Sequence, residues 1–190
     1  MTVEDDDAFW LHAADPGVDI CDPSLTVDQC LDVILSELEA HVSLDVPCSV
    51  VEIGCGIGRL SNPLHERREA WVFGVDINPR FIERARSEGP PVGSPCYIVD
   101  DGLSHFRDQE VTAVYAMAVF QHIDNTRKRA YIKQVGRVLH PGGVFVFQYV
   151  EGTHSSRCMH DALIGDVREW CTAAGLVVAA MRKAQQELAE

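Results

Sequence analysis

The segment Val50-Val-Glu-Ile-Gly-Cys-Gly-Ile-Gly-Arg59 limits the fold more than any other part of the chain. A short, mostly β-branched run enters glycines at 54, 56 and 58, and a helix-forming stretch follows. Glycines at such a junction let backbone approach a ligand closely, and the first turn of a helix carries N–H groups with no intrahelical partner. The spacing is not that of the dinucleotide fingerprint Gly-x-Gly-x-x-Gly, which needs glycine at 59, where this chain has Arg59.

From residue 48 onward, strand and helix patterns alternate. Strands are expected at 49–53, 70–75, 96–99, 111–117, 144–150 and 176–181. Helices are expected at 58–69, with Pro63 in the first turn, and at 79–87, 103–106, 126–139 and 161–174. His140-Pro-Gly-Gly143 and Gly175 read as the stops of the last two helices, and the tail from 183 reads as helical or frayed. Ahead of these elements, Thr26-Val-Asp-Gln29 is a capping-box pattern. Val27, Cys30, Leu31, Ile34 and Leu38 behind it form the stripe of a helix over 27–41. Continuous apolar strands joined by helices predict an α/β fold, a parallel sheet covered on both faces with right-handed crossovers. Ligands of such sheets bind at the carboxyl ends of the strands, so loops 54–58, 76–79, 100–103 and 117–124 should share one rim. Residues 1–25 read as an acidic irregular arm, with Phe9-Trp10 as a core anchor or a lid, and 26–190 as one domain.

Composition narrows the function. A chain of 190 residues, 46% hydrophobic, can bury a full core without disulfides or metals. A formal charge of −13 repels phosphate backbones and disfavours nucleic acid as a partner. The basic cluster Arg127, Lys128, Arg129 and Lys133 reads as a solvated helix face. The seven cysteines include no Cys-x-x-Cys, and His154, Cys158, His160 and Asp161 match no standard ligand spacing, so no metal is expected. The N-terminus is acidic where a secretory signal is basic, and no apolar run is long enough to span a bilayer. A cytoplasmic location is expected.

The pattern Glu-x-Gly-x-Gly-x-Gly over residues 52–58 resembles the first motif of class I S-adenosylmethionine-dependent methyltransferases. Tyr115-Ala-Met-Ala-Val-Phe-Gln-His-Ile123 and Arg137-Val-Leu-His-Pro-Gly-Gly143 resemble a small-molecule branch of that family. That branch often reads Phe-Gln-His-Ile after strand four and Arg-Val-Leu-x-Pro-Gly-Gly before strand five. Strong likeness covers 48–150, and a looser one extends over 26–182.

The resemblance implies a three-layer Rossmann-like sandwich with strand order 3-2-1-4-5 followed by a C-terminal strand, and S-adenosyl-L-methionine as cofactor. It places Glu52, Gly54, Cys55, Gly56, Gly58 and Arg59 around the cofactor. Asp76, with Ile77 beside it, would take the ribose diol, since an ionised carboxylate has two acceptor oxygens. The plainer role for Asp76 is a cap for the helix that starts at Asn78-Pro79. Asp101 would take the adenine amino group and the N–H of Gly102 the ring nitrogen, with Asp100 as the alternative acid. Met117 and Ala118 would lie near the methionine end. His122 is the candidate base or acceptor-positioning group, or else a loop brace. Gln121, Gln148, Tyr149 and Glu151 would line the acceptor pocket.

The implied reaction is methyl transfer to a small-molecule N or O acceptor. A protein methyltransferase and a non-catalytic cofactor binder remain as alternatives. Two departures stand out. Thr112 replaces the Asp common in the family's fourth strand, which should alter strand packing and leave the cofactor site intact. The C-terminus is short for the family's final hairpin, so the sheet should be shortened, and an uncovered edge would favour a homodimer.

Overall fold

A computed structural model describes residues 26–182 except 46, 69, 90–92, 94, 154 and 156–158. The expected arm over 1–25, with Phe9-Trp10, and the tail 183–190 lie outside the described residues. Thr26 is the N-cap of α1 (Val27–Glu39), and the capping box closes both ways. Gln29 N–H donates to Thr26 Oγ1 at 3.2 Å, and Thr26 N–H donates to Gln29 Oε1 at 2.9 Å.

The elements that follow are β1 (Ser49–Ile53), α2 (Ser61–Arg67), β2 (Trp71–Asp76), α3 (Pro79–Glu88), β3 (Cys96–Val99), β4 (Val111–Ala116), a 3₁₀ turn (Phe120–His122), α4 (Asn125–Val138), β5 (Leu139–Phe147) and α5 (Ile164–Ala173). All four strand pairings are parallel, and the order is β3-β2-β1-β4-β5. Side chains alternate across a strand, so β1 serves two cores. Val50 joins Leu31, Ile34, Leu38, Leu64, Val72 and Tyr115 under α1 and α2. Val51 and Ile53 face the other way, among Ile132, Val135, Val138, Val167 and Cys171 of α4 and α5. Ile82 and Ala85 of α3 pack with Cys55 and Tyr97. The result is the three-layer sandwich expected. Each fully buried Leu, Ile or Val contributes about 1.5–3 kcal/mol, so the two cores hold the sheet without covalent help.

Thr112, near the start of β4, meets Ser49 of β1 through its hydroxyl and backbone. Thr112 N–H donates to Ser49 Oγ at 3.2 Å, Ser49 N–H meets Thr112 Oγ1 at 3.4 Å, and Ser49 Oγ donates to the Glu110 carbonyl. Small hydroxyls thus fasten β1 to β4.

Several expected boundaries differ. Residues 103–106 form turns, not a helix. Phe106 N–H closes one turn on the Leu103 carbonyl at 3.2 Å, and the Arg137 guanidinium caps the carbonyls of Leu103 and Phe106 at 2.9 Å each, so the turn is not continued. The arginine of the Arg-Val-Leu stretch is thereby a tie between α4 and the loop after β3. His140-Pro-Gly-Gly143 lies inside β5, where the register shifts between Val111 and Ala113 and Gly142 has φ +86°. It is a bulge that restarts the strand, as proline and glycine often mark. The helix expected from 58 starts at Ser61, and the one expected from 161 starts at Ile164.

The expected sixth strand, 176–181, is not a strand. Gly175 turns the chain at φ +77°, and Leu176 N–H returns to the Cys171 carbonyl. Leu176, Val178 and Met181 do pack on the core, while Arg182 reaches Glu37 of α1. The apolar alternation is satisfied by packing without a ladder. The described sheet therefore ends at β5. No helix among the described residues is long and apolar enough to cross a membrane.

Candidate active site

The carboxyl ends of β1, β2, β3 and β4 form one rim, and the sequence-selected residues gather along it. The glycine loop rises from β1, with positive φ at Gly54 (+69°), Gly56 (+53°) and Gly58 (+83°), values that side chains rarely adopt. A Cβ at Gly54 would lie 2.3 Å from Val119 Cγ2, and one at Gly58 would lie 2.2 Å from Tyr97 Oη. A Cβ at Gly56 would meet nothing within 4 Å. Two glycines therefore let the loop pack, and the middle one faces open space beside Asp76.

Four N–H groups of this loop, those of Gly54, Cys55, Gly56 and Gly58, are already bonded within the fold. Gly54 and Cys55 donate to the Val75 carbonyl at 2.8 and 3.0 Å, and Gly58 donates to the Cys55 carbonyl at 2.9 Å. Gly56 N–H donates to Asp76 Oδ2 at 2.9 Å. The loop offers shape more than donors.

Asp76 is not the helix cap that was its plainer expected role. Its Oδ1 accepts from Asn78 N–H at 2.8 Å, while Asn78, not Asp76, is the N-cap of α3, accepting from Arg80 N–H at 2.9 Å. Each carboxylate oxygen has two acceptor sites, so some acceptor capacity remains beside these bonds. Burial pushes its pKa up, and the N–H groups of Asn78, Gly56 and Ile77 oppose that push. Ile77 is half-buried next to it.

After β3 the two acids separate cleanly. Asp100 is buried, and its oxygens accept from Gly102 N–H (2.9 Å), His105 N–H (3.2 Å), Ser104 Oγ (3.2 Å) and the His105 ring (2.7 Å). Burial pulls its pKa up, and those hydrogen bonds outweigh it, holding the carboxyl below the usual range. Asp101 is exposed at the rim. The Gly102 N–H expected to meet a ring nitrogen is engaged by Asp100 instead.

Two members of the expected set point inward. Glu52 is 4% exposed and accepts at Oε2 from Ser61 Oγ and from Tyr115 Oη (2.9 Å). Burial, with Asp76 nearby, pushes it up to about 8, the two hydroxyls pulling the other way. It ties β1 to α2 and β4 beneath the rim. The Cys55 side chain is buried against Tyr97, and burial raises its thiol well above the ordinary value. Only the backbone of Cys55 reaches the rim. Arg59 is exposed at the loop's far end.

Past β4, Met117 is half-buried and Ala118 is exposed with φ +56°, a left-handed position that costs a non-glycine residue about 1–3 kcal/mol. Val119 leans on Gly54. Phe120 is fully buried, its ring centroid 4.8 Å from that of Phe147 and 5.9 Å from that of Phe145. That anchor fixes the turn carrying Gln121 and His122, both half-buried. Gln121 Oε1 is buried with no hydrogen-bond partner among the described residues. Gln148 Oε1 accepts weakly from Ala118 N–H at 3.4 Å, so Gln148 does come to this corner. Tyr149 continues the Phe145–Phe147 aromatic row, and Glu151 bridges to Ala162. His154 and Cys158 lie outside the described residues; His160 is buried, and Asp161 follows it. Among the described residues, no group of three His, Cys, Asp or Glu could hold a metal ion.

Sequence reasoning missed His105, Val119 and Lys128. Their roles come from neighbours met only in the fold. Two surface recesses of about 430 Å³ lie at the opposite rim. One is lined by Asp45, His65, Glu66, Arg67 and Arg68, and both guanidiniums are already paired with Asp28, Asp32 and Glu39. That rim carries no candidate chemistry.

A parallel sheet in this order, with a glycine loop after its first strand and carboxylates after the second and third, defines a Rossmann-like nucleotide-binding domain. The family model described as "Methyltransferase domain" matches residues 51–147, and the chain belongs to that family. It is 31% identical over 99 residues to the 2-methyl-6-phytyl-1,4-hydroquinone methyltransferase of Synechocystis, covering 52% of this chain and 30% of that one. It is 32% identical over 114 residues to a trans-aconitate 2-methyltransferase of Rhodopseudomonas palustris, covering 59% and 42% respectively. The chain thus spans well under half the length of these two relatives. Among solved structures, the magnesium protoporphyrin IX methyltransferase of Synechocystis with bound SAM superposes with a TM-score of 0.70 at 19% identity, covering 92% of this chain and 87% of that one. This likeness establishes the shared fold.

Proposed function

We propose that this chain binds S-adenosyl-L-methionine and transfers its methyl group to a small molecule through nitrogen or oxygen. The single observation that carries the reading is the open space over Gly56 beside the Asp76 carboxylate, at the rim where the family motif falls. The residues present fit the cofactor. The open space at Gly56 suits close approach of an adenosyl group, Asp76 keeps acceptor capacity for a sugar hydroxyl, and Asp101 is an exposed carboxylate for an exocyclic amine. Met117 and Ala118 lie where the amino-acid end would pass.

When bound, the cofactor supplies an already activated methyl group. The protein's share is to orient the acceptor and, for a hydroxyl or ammonium, to take its proton. His122 is the residue on this corner able to do so, held by the buried Phe120. Gln121 Oε1, enclosed and unpartnered, suits an acceptor that brings an O–H or N–H. The small-molecule acceptors named for the relatives support that class, and the net charge of −13 weighs against nucleic acid.

The test is turnover of methyl-labelled cofactor against a panel of small phenols, carboxylic acids and amines, with an unstructured protein as control. Wild type should label at least one small molecule. His122→Gln should lower kcat by about 10²-fold or more and change affinity for S-adenosylhomocysteine little. Labelling of the protein control alone would replace the small-molecule reading. The outer edge of β5 bears no strand among the described residues, which supports pairing of two copies there. Light scattering that finds only monomer at high concentration would count against it.

A further inference from the structure

The basic cluster at the start of α4 reads from sequence as solvated, yet Lys128 is 1% exposed and among the largest fully buried side chains. Its Nζ donates to the carbonyl of His160 and to Asn125 Oδ1 at 2.9 Å. His160 lies in the loop after β5, and its own N–H donates to the Gln121 carbonyl at 2.7 Å. Residue 160 is therefore held at both backbone groups, one by the turn that carries His122 and the other by α4 behind it. The neck of this loop is closed by Ala162 N–H to the Val150 carbonyl (2.9 Å) and Gly152 N–H to the Ala162 carbonyl (3.2 Å). Within it, Ser155 Oγ and His160 Nδ1 lie 2.8 Å apart.

Packing alone does not call for an ammonium here. Burying one is costly unless it is paired and hydrogen-bonded, and methionine would fill much the same volume. What methionine cannot do is donate to the His160 carbonyl. The charge is balanced by Asp124, the N-cap of α4, and by Asp161 on the loop, while the His160 ring is engaged with Ser155. The pinned loop also lies against the turn whose Gln121 Oε1 is enclosed without a partner.

We infer that Lys128 is a positioning residue: it pins residues 159–162, in the stretch after β5, to the Gln121–His122 turn and so sets the acceptor-side wall of the site. In its functional part this rests on the methyl-transfer reading above. The pinning itself does not. Burial lowers the Lys128 ammonium to about 8, against the pull of Asp124 and Asp161. The pin is thus charged at neutral pH and weakens as pH climbs past that value.

The experiment is hydrogen exchange of the full chain at residues 150–162, corrected for intrinsic rates, in wild type, Lys128→Met and Lys128→Arg. S-adenosylhomocysteine binding is measured by calorimetry on each. Lys128→Met should lose about tenfold of the protection at the His160 amide, as expected for one lost hydrogen bond, with nucleoside affinity within about twofold of wild type. Lys128→Arg should restore most of the protection. Wild-type protection should fall between pH 7 and 9, and the Met variant should show no such fall. Unchanged protection in Lys128→Met, or a wild-type profile flat in pH, overturns the inference. Should the Met variant not fold, the wild-type profile and the Arg variant decide alone. Absence of nucleoside binding in wild type would sink the methyl-transfer reading and leave the exchange result to judge the pin.

Discussion

The rim is built in two ways. Beside β1, β2 and β3 it is backbone bonded to backbone or to a capping carboxylate: Val75 holds Gly54 and Cys55, Asp76 holds Gly56 and Asn78, and Asp100 holds Gly102 and His105. Beside β4 and β5 it is side chains from distant segments, set by the Phe120 ring and a few tertiary bonds through His160. The first kind of site is a shape formed by backbone bonds between neighbouring strands, before any ligand arrives. The second is only as well placed as the loops that carry it. A family can keep the first and vary the second, which is how one fold serves many acceptors.

The largest effect should come from filling the packed part of the glycine loop. Gly58→Ala places a Cβ 2.2 Å from Tyr97 Oη at φ +83°, and Tyr97 is itself tied to Asn62 Oδ1 at 2.7 Å. Folding stability should drop by about 2–4 kcal/mol, from backbone strain plus overpacking. Gly56→Ala meets open space and should cost about 1 kcal/mol for its positive φ while lowering nucleoside affinity. Urea denaturation of both variants checks this; equal stability losses would show that packing is not what demands glycine at 58.

Next in size is the contrast between neighbouring acids. Asp100→Ala strips four hydrogen bonds from a buried turn and should cost about 1–3 kcal/mol of stability. Asp101→Ala should stay within about 0.5 kcal/mol in stability, as exposed substitutions do, and weaken S-adenosylhomocysteine severalfold. An Asp101 variant with full affinity would remove that residue from the adenine edge.

The effect at Glu52 is the one that pH turns on. Its folded pKa of about 8 lies above the ordinary 4.5, so the protonated form is the one the fold prefers. Its contribution is complete below about pH 4.5 and is lost as pH rises through about 8. Glu52→Gln, a neutral mimic, should nearly match wild type at pH 4.5 and be the more stable by several kcal/mol, up to about 5 kcal/mol, near pH 8.5, since each pKa unit is worth about 1.4 kcal/mol. Parallel stability-pH curves for the two proteins would refute the buried neutral acid.

The same division explains what could be read from the chain. The glycines, Asp76 and the strand order were legible because they follow from local backbone demands and from alternating strands and helices. The inward turn of Glu52 follows from strand alternation, since it points to the side opposite Val51 and Ile53, but its partners Ser61 and Tyr115 are distant in sequence. The occupied loop amides were not legible, because the Val75 carbonyl that takes two of them belongs to another strand. Lys128 was misread for a like reason: a lysine in a basic run is ordinarily solvated, and the carbonyl that buries it arrives 32 residues later. The stretch 176–181 has a strand's alternation, but alternation reports which side is buried and says nothing of whether a ladder forms.

The central claim is that the open space over Gly56 and the Asp76 carboxylate hold an adenosyl group. Titration calorimetry of S-adenosylhomocysteine into wild type and Asp76→Ala, with folding of both confirmed by circular dichroism, tests it most directly. The account predicts saturable one-to-one binding by wild type and a loss of at least about tenfold in the variant, the scale of a lost hydrogen bond to a charged group. Equal affinities, or no heat with wild type, would contradict it.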